Sequence, residues 1–280
     1  IWLVTGGCGF IGSHLVDALL EKGDQVRVLD DLSTGKRDNI PASVELRIGD
    51  VADASCVREC FDGIDGCFHL AAIASVQRCN DDWLGTHRTN LQGTITVLDA
   101  ARRAAKAPAI PVVYASSAAV YGNPASLPIG EDSAVQPLTA YGADKAGCEL
   151  HARVATAIHG VPTLGLRFFN VYGPRQDPRS PYSGVISIFC DLMSAGAPLT
   201  IYGDGEQLRD FVHVGDVVRF LIRGMEAPSV TASVFNVCSG IGTSLLALAD
   251  EISHLTGSPP EFRFRPARAG DIRASVGDPT

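Results

Sequence analysis

The sequence predicts an α/β protein whose central sheet is parallel and doubly wound. Short apolar runs of strand length alternate with longer segments of helical periodicity through residues 1–168. Strands that alternate with helices in this way form a parallel sheet with helices on both faces. The first strand also leads directly into a glycine-rich turn and a helix, and ligands bind beyond the carboxyl ends of such strands.

Length and composition exclude several classes of protein. The chain has 280 residues, of which 46% are hydrophobic and 19% charged, and its net charge is −8. This composition excludes a disordered chain, and the lack of a basic run argues against nucleic acid as a partner. No apolar stretch approaches the ~18 residues that span a bilayer, and no signal-peptide pattern precedes the first strand. We therefore expect a cytoplasmic protein that binds no membrane. Because the chain opens inside a strand without methionine, we also expect short terminal segments to be missing.

The opening segment predicts a strand, a phosphate-binding turn and the start of a helix. Residues 1–4 form an apolar run that is too short for a helix, and helical periodicity begins at residue 11 and ends at Gly23. Glycines in the turn let the backbone approach a pyrophosphate, which the positive end of the helix attracts. Their spacing, G-x-x-G-x-x-G, differs by one residue from the usual dinucleotide fingerprint. The predicted cofactor contacts here are Gly6, Gly9, Phe10, Ile11 and Gly12.

The second predicted strand, Gln25 to Leu29, ends at an acidic residue. Asp30 follows Gly12 by 18 residues, close to the ~20 expected for a carboxylate that binds an adenosine ribose. A carboxylate at this place repels a 2′-phosphate, so the sequence favours NAD over NADP. A solvated turn acid is the alternative interpretation.

The alternation continues through further strands and two long helices. We predict strands at Val44–Ile48, Gly66–Leu70, Pro111–Ala115 and Pro162–Phe168, and helices at Thr86–Ala107 and Ala140–His159. Asp50 could reach the adenine amine, and small residues after the fourth strand would let a cofactor cross the strand end. The predicted cofactor contacts in these turns are Asp50, Val51, Leu70, Ala71 and Ala72.

Tyr141 and Lys145 lie four residues apart on the second long helix and therefore on one face of it. A phenol ordinarily loses its proton only near pH ~10. A neighbouring ammonium favours the phenolate, which would make this pair a candidate general base. Ser117, at the end of the fifth strand, maps to the same edge of the sheet. A chance pair on an exposed helix is the alternative, but the glycine turn and Asp30 favour an active site.

Longer motifs carry a resemblance to a known family. They are TGGCGFIG from Thr5, YASSAAVYG from Tyr114 and the Tyr141/Lys145 motif, followed by motifs that begin at Arg167, Gly203 and Arg268. On these motifs the whole chain resembles the extended short-chain dehydrogenase/reductases, in particular the NAD-dependent nucleotide-sugar epimerases. The resemblance implies a Rossmann-like NAD-binding domain at 1–168, to which the chain returns at about 210–238. It also implies a smaller substrate-binding domain that takes most of 169–280.

The resemblance also implies roles for individual residues. Tyr141 would be the general base, Ser117 would bond the reacting hydroxyl, and Lys145 would bind the nicotinamide ribose. Asn90 would lie near the cofactor, with a hydrogen bond inside its helix as the alternative. The segment from Arg175 to Tyr182 would be a lid over the sugar. The implied substrate contacts are Ser116, Ser117, Asn170, Gln176, Arg209, Arg268, Asp271 and Ser275.

The implied reaction is the inversion of C4 in a UDP-hexose. The sugar is oxidised to a transient 4-keto form and reduced again from its other face, so NAD is retained and not consumed. Dehydratases and decarboxylases of the family carry an acid after the active-site serine, where this chain has Ala118-Ala119, and these reactions are disfavoured. Ser275, at the position of the sugar-pocket gatekeeper, leaves room for a 2-acetamido group. We therefore expect UDP-GlcNAc and UDP-GalNAc to be accepted, with UDP-Glc and UDP-Gal as further substrates.

Other interpretations remain open from the sequence. A UDP-glucuronate 4-epimerase or another sugar-nucleotide oxidoreductase is the alternative enzyme, and an NAD-binding regulatory or sensor protein is the alternative without chemistry. The two long helices pair across a twofold axis in this family, which implies a homodimer through a four-helix bundle; burial against the chain's own core is the other explanation.

The eight cysteines contain no C-x-x-C pair and the histidines lack ligand spacing, so we predict neither disulfides nor a metal. Segments Asp210–Val214, Gly215–Met225 and Val234–Val237 are expected to return to the main sheet as strand, helix and strand.

Overall fold

A computed structural model describes residues 1–104, 109–180, 183–226, 232–267 and 272–280. Its strands are β1 (Trp2–Thr5), β2 (Val26–Asp30), β3 (Glu45–Ile48), β4 (Gly66–His69), β5 (Val112–Ser117), β6 (Thr163–Phe168), β7 (Asn170–Tyr172), β8 (Leu199–Tyr202), β9 (Leu208–His213), β10 (Ser233–Val237), β11 (Gly242–Ser244), β12 (Phe262–Arg265) and β13 (Ala274–Ser275). Its α-helices are α1 (Phe10–Glu21), α2 (Ala54–Cys60), α3 (Val76–Asp81), α4 (Trp83–His87), α5 (Gly93–Arg103), α6 (Ala140–His159), α7 (Val185–Ser194), α8 (Val214–Glu226) and α9 (Leu245–Thr256).

The main sheet has seven parallel strands in the order β10-β6-β5-β4-β1-β2-β3. This confirms the predicted doubly wound α/β fold. The order runs outward in both directions from β1 and β4, so the sheet reverses its direction of growth between these two strands. A crevice opens at the carboxyl ends of the strands at such a reversal.

Side chains that alternate along the strands fill two apolar layers, one on each face of the sheet. Val4 and Val28 pack in a cluster with residues of α1 and α8, whereas Leu3 and Leu29 pack in a second cluster with residues of α2, α5 and α6. The central strands are therefore buried on both faces, as parallel strands require. Among the described residues, no helix is long and apolar enough to cross a membrane.

The long helix predicted at Thr86–Ala107 is interrupted in the structure. A π-helical turn, Arg88–Gln92, lies between α4 and α5. Asn90, at the centre of this turn, is fully buried and bonds both backbone groups of Ile73. A π-turn adds a residue to the helix and turns the following side chains, which lets Asn90 face the loop after β4. The predicted end of this helix, from Ala105 onward, lies outside the described residues.

Strand β9 differs from the prediction, which placed residues 210–214 in the main sheet. β9 pairs instead with β7, β11 and β13 in a second sheet. The fully buried carboxylate of Asp210 accepts backbone N–H bonds from Ser239, Gly240 and Gly277, which ties two distant segments to β9. The strand that returns to the main sheet is β10, beside β6, as predicted. A third small sheet, β8 with β12, packs with α7 and α9 on a separate apolar cluster.

His69 connects the carboxyl ends of the strands through a buried chain of hydrogen bonds. Thr5 Oγ1 accepts bonds from the N–H groups of residues 70 and 71, so its own proton goes to His69 Nδ1 at 2.8 Å. Thr94 Oγ1 donates to the carbonyl of Asn90 at 2.7 Å, so it accepts from His69 Nε2 at 3.0 Å. The network therefore assigns a neutral imidazole with its proton on Nε2.

We predict that His69 makes stability depend on pH. Burial, and then the charge of Lys145, lower the pKa of His69 from 6.5 to about 3. Between these values the unfolded chain binds the extra proton, so the free energy of unfolding should fall as the pH drops below 6.5, by roughly 2 kcal/mol at pH 5. Urea denaturation at pH 7.5 and 5.0 should show a smaller fall for His69→Gln than for the wild type. The exposed His159→Gln is the control, and an equal fall in all three proteins would contradict the assignment.

Candidate active site

One cleft of about 1070 Å³ lies at the carboxyl ends of the main-sheet strands. It runs from the loop after β2, past the first glycine turn, to the start of α6 and the segment after β7. Most of the residues predicted to bind cofactor or substrate line it. They are Gly6, Gly9, Phe10, Ile11, Gly12, Asp30, Asp50, Val51, Leu70, Ala71, Ala72, Ser116, Ser117, Tyr141, Lys145, Asn170 and Gln176.

The glycine turn leaves no room for side chains. Gly6 has a φ of +71°, and a Cβ on it would lie 2.7 Å from the backbone nitrogen of Ala71. A Cβ on Gly12 would overlap the carbonyl oxygen of Gly6. Gly9 caps α1, whose first turn carries no acidic residue. Since Phe10, Ile11 and Gly12 line the cleft, the N–H groups at this end of the helix can receive a pyrophosphate.

Asp30 ends β2 in a buried position at the cleft. Its carboxylate accepts hydrogen bonds from the backbone N–H groups of Cys8 and Leu32, both at 2.9 Å. Burial raises the pKa of Asp30, and the two hydrogen bonds oppose that effect. A carboxylate held in this way can accept bonds from the hydroxyls of an adenosine ribose. The glycine turn (called the glycine cradle below), the uncapped N-terminus of α1 and Asp30 together fit NAD.

Asp50, the predicted adenine contact, is also fixed at the cleft. It pairs with Arg88 and accepts a bond from the backbone N–H of Ala52 at 2.7 Å. The loop after β3 is therefore tied to the π-turn.

Ser117, Tyr141 and Lys145 all line the cleft. Tyr141 lies in the first turn of α6, which Thr139 caps through a 3.1 Å bond from the N–H of Gly142. The Lys145 ammonium is 5.8 Å from the centre of the Tyr141 ring, and it donates to the carbonyl of Ala115 at 2.9 Å. The cleft therefore presents a hydroxyl, a phenol and a buried cation to a ligand such as a sugar.

Several predicted residues are not brought into this cleft. Asn90 holds Ile73 in place from behind the cleft wall. Arg209 donates to the carbonyl of Ile272 at 3.0 Å, and its backbone lies opposite Ser275 where β9 and β13 pair. Neither Arg209 nor Ser275 lines the cleft. Arg268 and Asp271 lie outside the described residues, as do residues 181–182 at the end of the predicted lid.

The structure adds contacts that sequence reasoning did not identify. Residues 174–177, here called the strap, cross from the end of β7 to the cofactor side of the cleft. Three contacts hold the strap: Pro174 O to His14 Nε2 at 2.9 Å, Arg175 to Asp17 at 2.6 Å, and Asp177 to Lys36 at 2.6 Å. His14 and Asp17 belong to α1, and Lys36 lies in the loop after β2. No local pattern could have found partners that lie so far apart in the chain.

The doubly wound sheet, the glycine turn and the acid that ends β2 define a dinucleotide-binding α/β protein. The profile of the NAD dependent epimerase/dehydratase family matches residues 2–238. The chain belongs to this family.

Relatives and solved structures are similar over nearly the whole chain. The UDP-glucose 4-epimerase of Mycolicibacterium smegmatis is 38% identical over 285 aligned positions, which cover 99% of this chain and 90% of that protein. The UDP-glucose 4-epimerase of Thermotoga maritima, solved with UDP-glucose, superposes with a TM-score of 0.93 at 35% identity, covering 99% and 89% of the two chains. The UDP-N-acetylglucosamine 4-epimerase of Methanobrevibacter ruminantium, solved with UDP-N-acetylmuramic acid, also has a TM-score of 0.93 at 35% identity, covering 99% and 88%.

We predict that Gly12→Ala removes bound NAD. The new methyl group would collide with the Gly6 carbonyl, which is backbone and cannot move aside without opening the turn. NAD released per protein on denaturation should fall at least tenfold. Gly130→Ala is the matched control, because a Cβ there meets nothing within 4 Å. Full NAD content in Gly12→Ala would place the dinucleotide elsewhere.

We predict that Asp177→Asn speeds NAD release. The Lys36 ammonium lowers the pKa of Asp177, so the carboxylate is charged at neutral pH and the strap stays attached to the cofactor side. An exposed ion pair is a weak interaction, so the release rate should rise by no more than about fivefold. Glu226→Gln breaks an exposed pair of the same length, to Lys22, away from the cleft. It should leave the release rate unchanged, and equal rates in both variants would count against the strap.

Proposed function

We propose that the protein is an NAD-dependent 4-epimerase of UDP-hexoses. The observation that carries this proposal is the convergence of Ser117, Tyr141 and Lys145 on the cleft that also contains the glycine cradle and Asp30. Membership of the NAD dependent epimerase/dehydratase family and the similarity to 4-epimerases support it. A binding protein without chemistry would not need a phenol beside a buried ammonium.

The positions of these side chains in the cleft support the following roles. Tyr141, as phenolate, takes the proton of the sugar 4-hydroxyl, and Ser117 bonds the same oxygen and fixes its orientation. Lys145 is held by the Ala115 carbonyl and keeps positive charge beside the phenol. When bound, NAD supplies reversible oxidation and reduction at the sugar carbon. Tyr141 then returns the proton to the epimeric hydroxyl.

The turn after Ser117 disfavours elimination and decarboxylation. Ala118 and Ala119 begin a 3₁₀ turn, Ala118–Tyr121, at the end of β5. Neither methyl side chain can transfer a proton, whereas those reactions need an acid or base near the ketone carbon. The proposed chemistry is therefore confined to the proton and redox steps of epimerisation.

We propose that both acetamido and plain hexoses bind. The two similar solved structures are named for UDP-glucose and UDP-N-acetylglucosamine. The argument from Ser275 stays a prediction, since this residue is buried in β13 and does not line the cleft. The division at residue 168 into cofactor and substrate domains, and a cytoplasmic location, belong to the same proposal.

We also propose a homodimer through α5 and α6. Leu150, Val154 and Ile158 form an apolar row on α6, with 60%, 51% and 72% of their surfaces exposed, and Ile95 on α5 is 37% exposed. An exposed row at helical spacing supports pairing with the same helices of a second copy. A monomeric mass in sedimentation equilibrium would contradict it.

The proposed function predicts epimerisation without added NAD. UDP-Glc, UDP-Gal, UDP-GlcNAc, UDP-GalNAc and UDP-glucuronate, each deuterated at C4, are incubated with the purified protein and the products identified. We expect the C4 epimer with deuterium retained, because the hydrogen never exchanges with water. Loss of deuterium to solvent, or no product from any sugar, would contradict the proposal; product from UDP-glucuronate alone would favour the alternative enzyme.

The same assay with Tyr141→Phe checks the general base. Removing the phenolic oxygen should lower kcat by at least 10²-fold, the scale of general acid–base catalysis at about 10²–10⁴. NAD content and thermal stability should be unchanged. A rate near that of the wild type would exclude Tyr141 as the base.

A further inference from the structure

A buried ion pair joins α6 to β6 one helical turn after Lys145. Arg167, on β6, donates to both carboxylate oxygens of Glu149, from Nε at 2.9 Å and from Nη2 at 2.7 Å. The side chains are only 7% and 11% exposed, respectively. Sequence reasoning gave Glu149 no role, although it stands four residues after Lys145 and eight after Tyr141 and so shares their face.

Glu149 is bonded to the strand that carries Ser117. Ser116 Oγ donates to Glu149 Oε1 at 2.5 Å, and Lys145 Nζ donates to the carbonyl of Ala115 at 2.9 Å. The two residues that precede Ser117 are thus each attached to α6 by one hydrogen bond. The Ser116 side chain is 2% exposed and its hydroxyl is used in this bond, so it is directed at Glu149 and not at the sugar.

Arg167 extends the network to the turn that follows Ser117. Its Nη1 donates to the hydroxyl of Tyr121 at 2.7 Å and to the carbonyl of Glu131 at 3.0 Å. The Tyr121 hydroxyl in turn donates to Asn236 Oδ1 at 2.7 Å. The backbone on both sides of Ser117 is therefore fixed by groups bonded to one ion pair.

Stability alone is a weak reason for such a pair. Two charges lose hydration on burial, and an apolar pair of similar volume often stabilises a protein as well or better. The planar fork between guanidinium and carboxylate does, however, fix direction and distance. Here it fixes the distance between β6 and α6, and it also holds Glu149 where it accepts the Ser116 bond. Through that bond it positions β5, which carries Ser117, against α6, which carries Tyr141.

We propose that Glu149 and Arg167 are positioning residues that hold Ser117 opposite Tyr141. The inference rests on the proposed function, in which both side chains must reach the same sugar oxygen. Reacting groups need to be within about 3–3.5 Å of one another, and a displacement of ~1 Å can cost about 10²-fold in rate. A weaker attachment of β5 to α6 therefore lowers kcat. NAD and the UDP-sugar still bind, because their binding depends on other parts of the cleft.

The test is a double-mutant cycle on Glu149→Gln and Ser116→Ala. Ser116→Ala removes only the bond to β5 and leaves the ion pair intact, so it remains informative if Glu149→Gln does not fold. Each single variant should lower kcat by about 10- to 100-fold, with KM and NAD content within twofold of the wild type. The double variant should lose no more than the stronger single one, because both substitutions weaken the same attachment of β5 to α6 through residue 149. Glu45→Gln, which breaks a partly buried pair with Arg27 between β2 and β3, should keep its kcat.

Three results would overturn the inference. They are an unchanged kcat in folded Ser116→Ala, losses that multiply in the double variant, and losses explained entirely by lower NAD content or folding. The wild type is assayed on the same UDP-sugars. An active wild type with unaffected variants would overturn the positioning role alone, whereas an inert wild type would overturn the proposed function and this inference with it.

Discussion

The close backbone contact between the first glycine turn and the loop after β4 is the constraint on which the site depends. Gly6 adopts a positive φ and lies so near Ala71 that no side chain fits between them. β1 and β4 therefore stay adjacent up to their carboxyl ends, where the strand order reverses. The cleft, the N-terminus of α1 and the acid at the end of β2 all derive their relative positions from this reversal.

Buried polar groups, more than apolar packing, fix the side chains around that cleft. His69 and Thr5 order the loop after β4, Asn90 holds the same loop from the π-turn, and the Glu149–Arg167 pair holds the end of β5. Bonds of this kind are directional, whereas apolar side chains tolerate small shifts in their neighbours. A site that must transfer a proton between defined atoms requires that directional control.

The sequence was sufficient to predict those elements whose caps, periodicity and end signals lie within one short stretch of chain. α6 spans Ala140–His159 as predicted, because its cap at Thr139, its periodicity and Gly160 all lie in one short stretch. The features that could not be predicted depend on distant partners. Asn90 lies in a π-turn and accepts a bond from Ile73, β9 pairs with β7, β11 and β13 outside the main sheet, and Lys36 pairs with Asp177 across 141 positions of chain. Hydrophobic periodicity reports the face of an element and not which remote group that face will meet.

The strap has a consequence for how the reaction depends on the cellular pool of NAD. In the proposed reaction the coenzyme ends each cycle in the oxidation state in which it began, so catalysis never requires the strap to detach. A dehydrogenase must instead release its coenzyme after every turnover, and contacts such as those of Arg175 and Asp177 would slow that release. A coenzyme that stays bound does not exchange with free NAD and NADH. The rate of sugar interconversion then depends on the concentration of the sugar nucleotide and not on the NAD/NADH ratio.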